Sequence, residues 1–223
     1  MAKLSRQSPI LLRWLSNQQH RDLFLVALLV TACTLRLAVA CFLPLDFRVV
    51  GSDTEEYLAV ARNLLDLGVF GPQGAPYAQI PPGYPVFIAG LFALAGERLL
   101  AVRLAQVALA TIAVWLIYLI GRQAIDDKGG LSAALALALY PVWVIWPSRV
   151  LTETLYTSLL LVFVWLFIRS LRKRSVWYTI LAGAAFGLGL LTREILFAFP
   201  VFFPLCVWWS RMPWRHAWRY LLL

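Results

Sequence analysis

Residues 102–121 read VRLAQVALATIAVWLIYLIG. After Arg103 and Gln106 this run holds no charged side chain and no amide. Some twenty residues at about 1.5 Å of rise per residue cover roughly 30 Å, the hydrocarbon thickness of a bilayer. A continuous helix also satisfies its own backbone hydrogen bonds, which lipid cannot do for it. The run therefore predicts a membrane-spanning helix. Working outward, similar runs predict a first span over 23–45 and further spans over 131–146, 150–168, 177–191 and 195–209. The third of these six spans, 131–146, is broken near its end by Pro141 and Pro147.

Composition agrees with that reading. Of 223 residues, 61% are hydrophobic and 14% charged, against about 25% charged in an ordinary soluble domain. The mean hydropathy is +0.76. These values exclude a soluble globular protein, a disordered tail and a small disulfide-stapled scaffold. The net charge of +9 would suggest nucleic-acid binding in a soluble chain. Here the cations cluster between apolar runs, as at the cytoplasmic ends of membrane helices, and no nucleic-acid partner is expected. Cys33, Cys41 and Cys206 lie in apolar runs without metal-ligand spacing and read as small core residues.

The expected organisation is a cytoplasmic N-terminal segment (1–22), a first span (23–45), a long outer loop (46–101), five further spans (102–209), and a cytoplasmic loop with the start of a further span (210–223). That makes about six to seven spans. The chain ends in Leu221-Leu222-Leu223 without a polar tail, which reads as a truncation of something longer. Apolar residues 10–15, interrupted by Arg13, suggest a short surface helix. With the N-terminus inside, 13 of the 20 basic residues are cytoplasmic: Lys3, Arg6, Arg13, Arg21, Arg122, Lys128, Arg169, Arg172, Lys173, Arg174, Arg211, Arg215 and Arg219. Eight of the 11 acids fall outside: Asp46, Asp53, Glu55, Glu56, Asp66, Glu97, Glu153 and Glu194. This bias orients the chain, with the long loop on the periplasmic or exterior face.

Within that loop, Ser52 and Glu55 have capping-box spacing, which predicts a helix starting at Asp53. Tyr57, Val60, Ala61, Leu64 and Leu65 would form its apolar face on the membrane surface, and Gly68 would end it. At a helix N-terminus the Asp53 carboxylate would lie among free backbone N–H groups, so a capping role competes with a catalytic one. Ile80-Pro81-Pro82-Gly83-Tyr84-Pro85 predicts a stiff turn. The half-length apolar run that follows, 84–95, is too short to cross and reads as re-entrant or interfacial. Two more polar points lie at outer helix ends, Thr152-Glu153 and Thr192-Arg193-Glu194. Arg36 sits about nine residues inside the first span, where a cation is costly unless it snorkels or pairs with an anion. Arg103 and Gln106, at i and i+3, share a helix face.

Asp53, Glu153, Arg193, Glu194, Arg103 and Arg36 are thus all expected toward one side of the membrane. Arginines suit a phosphate and a carboxylate suits a general base. Such a set fits a reaction between a lipid-linked phosphate and a hydroxyl. No Gly-rich phosphate loop is present.

The order of these motifs resembles the N-terminal half of GT-C-fold glycosyltransferases. The motifs are Ser52-Asp53 to Tyr57, Ala61-Arg62-Asn63-Leu64, Gly68, Pro82-Gly83-Tyr84-Pro85, Arg103 with Gln106, Leu151-Thr152-Glu153 and Leu191-Thr192-Arg193. The most similar branch is the dolichyl-phosphate-mannose-protein mannosyltransferase-like family (glycosyltransferase family 39), with the aminoarabinose transferases of lipid A nearby. The resemblance implies an all-α polytopic membrane protein of GT-C type. It implies a polyprenyl-phosphate-linked sugar donor and a lipid, glycan or protein acceptor on the outer face of the bacterial plasma membrane. It also implies catalytic roles for Asp53 and Glu153 and a place for Arg193 near the donor phosphate, where Arg103 or Arg36 is expected to join it. Glu56, Tyr57, Tyr84, Gln106 and Glu194 complete the set as supporting groups. A divalent metal ion is a candidate cofactor, although His20 and His216 both fall on the cytoplasmic side. Relatives usually carry ten or more spans and often a soluble C-terminal domain, and the six to seven spans expected here are about half of that. The competing class is non-enzymatic: a lipid-linked-sugar binder, flippase or transporter, or an inactive truncated paralogue.

Overall fold

The computed structural model describes residues 18–42 and 53–195. The expected surface helix at 10–15, the Ser52 cap, the body of the 195–209 span and residues 210–223 lie outside the described residues. The described elements are helices: α1 (Gln18–Phe42), α2 (Thr54–Asp66), α3 (Gly83–Ala95), α4 (Leu99–Ala124), α5 (Asp127–Leu139), α6 (Pro141–Ile145), a 3-10 turn (Trp146–Ser148), α7 (Thr152–Lys173) and α8 (Val176–Thr192). Among them α1, α4 and α7 are long and apolar enough to cross a bilayer. The α5–α6 pair makes a fourth candidate, bent by 64°. Large apolar side chains stay exposed along these helices, including Val26, Val30, Ile112 and Trp115. Lipid, unlike water, charges nothing for that exposure.

The bend between α5 and α6 has a named cause. Pro141 has no N–H to offer the Leu137 carbonyl four residues back. Arg36 supplies the missing donors from α1. Its Nη2 lies 3.3 Å from both the Leu137 and Ala138 carbonyl oxygens, and its Nη1 bonds the Ala32 carbonyl at 2.9 Å. The side chain is fully buried. A cation at the carbonyl end of α5 also complements that helix's dipole. Arg103 makes a comparable tie nearer the C-terminal end of α1: its Nη1 donates to the Ala40 carbonyl at 3.0 Å, joining the last turn of α1 to α4.

Close packing elsewhere depends on small residues. A Cβ on Gly130 would stand 2.7 Å from the Tyr118 carbonyl oxygen, and one on Gly121 would stand 2.9 Å from the Gly130 Cα. The pair lets α4 and α5 approach backbone to backbone, the usual means of helix association in lipid. Leu28, Ala32, Val114, Tyr118, Leu131, Ala134 and Ala138 fill the core between α1, α4 and α5. A separate cluster, Phe163, Leu166, Ala182 and Ala185, joins α7 to α8.

α2 starts at Thr54 with Asp53 at the N-cap, and Gly68 follows its end at φ +66°. Its buried face is Tyr57, Leu58, Val60 and Ala61, whereas Leu65 is 42% exposed. The expected apolar stripe holds at Tyr57, Val60, Ala61 and Leu64, with Leu58 buried on the same face in place of Leu65. α2 turns its apolar face onto α3 and the start of α7, where Tyr57, Leu58 and Ala61 share a core with Tyr84, Ile88, Phe92, Val150 and Leu155.

Candidate active site

The polar residues at the Asp53 end are held by one buried amide. Gln106, fully buried on α4, donates through Nε2 to the carbonyls of Pro147 (3.2 Å) and Arg149 (2.7 Å). Its Oε1 accepts from the Tyr84 hydroxyl at 3.0 Å. An amide in lipid must have such partners or lose several kcal/mol, so Gln106 fixes the 3-10 turn and α3 together. The turn then delivers Glu153 into the first turn of α7, where the helix dipole favours a carboxylate. Thr54, at the start of α2, donates its hydroxyl to the Val150 carbonyl at 3.1 Å. The start of α2 and the start of α7 are thereby brought side by side.

α8 approaches the same place from the other side. A Cβ on Gly83 would stand 2.7 Å from the Leu191 carbonyl oxygen and 2.8 Å from the Thr192 hydroxyl. The glycine lets the first turn of α3 press on the last turn of α8. Immediately beyond that turn, Arg193 Nη1 meets Glu153 Oε1 at 3.1 Å. The Arg193 side chain remains 44% exposed, so this ion pair is open to solvent.

Tyr57 links these groups. Its ring meets the Tyr84 ring edge-on at 5.3 Å. Its hydroxyl makes a long hydrogen bond, 3.3 Å, to Asp53 Oδ2. Burial pushes the phenol up to about 12, helped by the Asp53 charge, the bond to Asp53 and the Glu153 charge, and opposed by Arg193. The proton therefore stays on the phenol throughout the physiological range, and Tyr57 remains a donor toward Asp53. The Asp53 carboxylate makes no cap hydrogen bond to α2; it is exposed and aligned by Tyr57 instead.

Of the residues singled out by sequence, Asp53, Tyr57, Glu153 and Arg193 thus come together, with Tyr84 and Gln106 beneath them. Glu194 is exposed beside Arg193. Glu56 faces another way and accepts from the Tyr77 hydroxyl at 2.5 Å, a bond that raises the Tyr77 pKa. It straps the loop after α2. Arg36 and Arg103, expected as phosphate ligands, are both buried and donate to main-chain carbonyls near helix ends. A helix-end carbonyl carries partial negative charge and competes with a phosphate for the same guanidinium. Sequence reading missed Thr54, Tyr77 and the packing role of Gly83. Only Gly83 carried a signal, in the Pro82-Gly83 pair, and that signal reads equally as a turn.

Among the described residues, no group of three His, Cys, Asp or Glu side chains is gathered to hold a metal ion.

Among the described residues the chain is a helical bundle with membrane-length apolar helices, and with two carboxylates and an exposed arginine at one end, an arrangement consistent with the GT-C-type membrane protein that the sequence resembles. Residues 79–223 match the family described as dolichyl-phosphate-mannose-protein mannosyltransferase, and the chain belongs to that family. It is similar to the undecaprenyl phosphate-alpha-4-amino-4-deoxy-L-arabinose arabinosyl transferase of Pseudomonas aeruginosa (strain LESB58), at 32% identity over 169 residues. That match covers 73% of this chain and 29% of the relative, so the chain spans under a third of the relative's length.

Proposed function

We propose that this end of the bundle belongs to a glycosyltransferase that takes a sugar from a polyprenyl-phosphate donor and passes it to an acceptor on the outer face of the membrane. The observation that carries the reading is the convergence of Asp53, Tyr57, Glu153 and Arg193 from α2, α7 and the end of α8. Asp53 takes the proton of the acceptor hydroxyl as that oxygen bonds the anomeric carbon of the sugar. The bond from that carbon to the phosphate oxygen breaks, and polyprenyl phosphate leaves with the electron pair. Arg193, half-exposed and paired with Glu153, offers its free guanidinium edge to the phosphate as charge grows there. Glu153 holds Arg193 in place, and Tyr57 holds Asp53. The relative's name suggests undecaprenyl-phosphate-linked 4-amino-4-deoxy-arabinose as the first donor to assay.

Arg193→Ala is expected to weaken donor-lipid binding by about 1.5–3 kcal/mol, the range for a charge-assisted hydrogen bond. Isothermal titration of the purified full-length protein with the donor lipid reads this directly. Unchanged affinity would remove Arg193 from the donor site.

Orientation is tested separately. A cysteine at Gln73 should react with a membrane-impermeant thiol reagent in intact cells, and one at Ser175 should not. The opposite pattern would put the site on the cytoplasmic side and exclude an outer-face reaction.

A further inference from the structure

The end of the bundle remote from Asp53 holds a second polar feature. Arg122 lies 19 residues beyond Arg103 along α4, about 28 Å at the helical rise. Between the ends of α4 and α7 lies a cavity of about 260 Å³ lined by Leu119, Arg122, Gln123, Arg169, Arg172 and Lys173. Four of these six residues are cationic, and none is acidic.

Cations at helix C-termini have an ordinary explanation. They offset the carbonyl ends of the helices, and they mark the cytoplasmic interface. That explanation requires neither convergence nor fixed positions, and both are observed. Arg122 comes from α4 and the other three from α7, across almost fifty residues of sequence. Arg169 is stacked 4.6 Å over the Trp165 ring and lies 6.0 Å from that of Tyr178. The Lys173 ammonium stands 5.4 Å from the Tyr178 ring. Arg172 donates to the Gln123 carbonyl. Of the four, and among the described residues, only Arg122 meets a carboxylate, Asp127 at 3.0 Å, and that carboxylate also takes Arg21 at 3.1 Å. Aromatic faces and a carbonyl position the cations, and they leave the positive charge around the cavity largely uncompensated. An apolar wall at Leu119 adjoins them, and the expected orientation puts the cavity on the cytoplasmic side of the bilayer.

We infer that this cavity is a binding site for a phosphate-bearing anion, held by Arg122, Arg169, Arg172 and Lys173 on the opposite side of the membrane from Asp53. Planar guanidinium groups match phosphate oxygens in pairs, and a lysine adds a mobile point charge. The phosphate can come from an anionic phospholipid headgroup or from a free ion. Basic pockets between membrane helices on the cytoplasmic side are a known physical setting for the former.

The test uses the full-length protein in nanodiscs of phosphatidylcholine, with or without roughly one tenth phosphatidylglycerol. Native mass spectrometry counts the retained lipid, and thermal unfolding in pure phosphatidylcholine discs reads stabilisation by millimolar inorganic phosphate. The inference expects selective retention of phosphatidylglycerol, which identifies a headgroup site, or stabilisation by inorganic phosphate, which identifies a free-ion site. Whichever is seen should fall at least about tenfold in the double variant Arg172→Gln/Lys173→Gln and survive in Lys173→Arg. Lys173→Gln alone, which keeps the Arg172 bond to the Gln123 carbonyl, should weaken it in the same direction if the double variant unfolds. Donor-lipid binding at the Arg193 end serves as the folding control. Neither retention nor stabilisation in the unaltered protein, or equal binding by folded variants lacking these charges, would overturn the site.

Discussion

Asp53→Asn is expected to lower sugar transfer at least about a hundredfold while leaving folding and donor binding nearly intact. A general base contributes roughly 10²–10⁴-fold, and a hundredfold loss is about 2.7 kcal/mol of transition-state stabilisation at 1.36 kcal/mol per decade. Asparagine is the informative replacement because it matches the size of aspartate. Its carbonyl oxygen still accepts from the Tyr57 hydroxyl, which now meets Asp53 at 3.3 Å, so only the basicity is lost. A capping role predicts a mild effect, and the carboxylate makes no cap hydrogen bond. Glu56→Gln provides the comparison. Glu56 accepts from Tyr77, and an amide oxygen can do the same, so transfer should change little. Steady-state transfer from a labelled polyprenyl-phosphate sugar by the full-length protein measures both. Wild-type rates in Asp53→Asn would remove the catalytic assignment and put a binder or transporter ahead.

The second large effect concerns stability. Arg36→Ala should cost about 2–4 kcal/mol, read as a lowered midpoint of unfolding in detergent. The change removes the donors that serve the Ala32, Leu137 and Ala138 carbonyls and opens a void in the α1–α5 contact. Interhelical hydrogen bonds in lipid average only about 0.6 kcal/mol and reach about 1.7. A charged donor left out of a site with no water sits at the upper end, and the lost volume adds to it. Arg36→Lys should recover some of the loss, because an ammonium reaches fewer acceptors than a guanidinium fork. Donor binding by whatever fraction folds should be unchanged. Lost donor affinity with wild-type stability would return Arg36 to the phosphate site.

These two arginine questions, Arg193 and Arg36, show where sequence reading stops. Both residues stand out in sequence, Arg193 as a cation at the end of an apolar run and Arg36 as a cation about nine residues inside one. The structure separates them by partner. Arg193 meets a carboxylate and stays accessible, whereas Arg36 is consumed by the carbonyls that Pro141 leaves without a donor. The proline and the arginine are each visible in sequence, but 105 positions apart, and nothing local connects them. The same holds for Gln106. Its spacing from Arg103 places both on one helix face, yet its partners lie on α3 and on the 3-10 turn.

What the sequence determined by itself was the solvent and the secondary structure. Apolar runs of span length require helices because lipid offers the backbone no hydrogen bonds, and Pro141 and Gly68 mark where a helix breaks and where one ends. Hence α2, α3, α4 and the broken α5–α6 pair were legible, with ends shifted by a few residues. The tertiary structure alone decided what the apolar face of α2 packs against, which arginines remain available, and that the Glu153–Arg193 pair forms beside Tyr57 and Asp53. Those outcomes depend on a buried amide, a glycine contact and orphaned carbonyls finding partners across helices far apart in the chain. Hydrogen-bond satisfaction in a bilayer is a property of the packed bundle, and no window of sequence contains it.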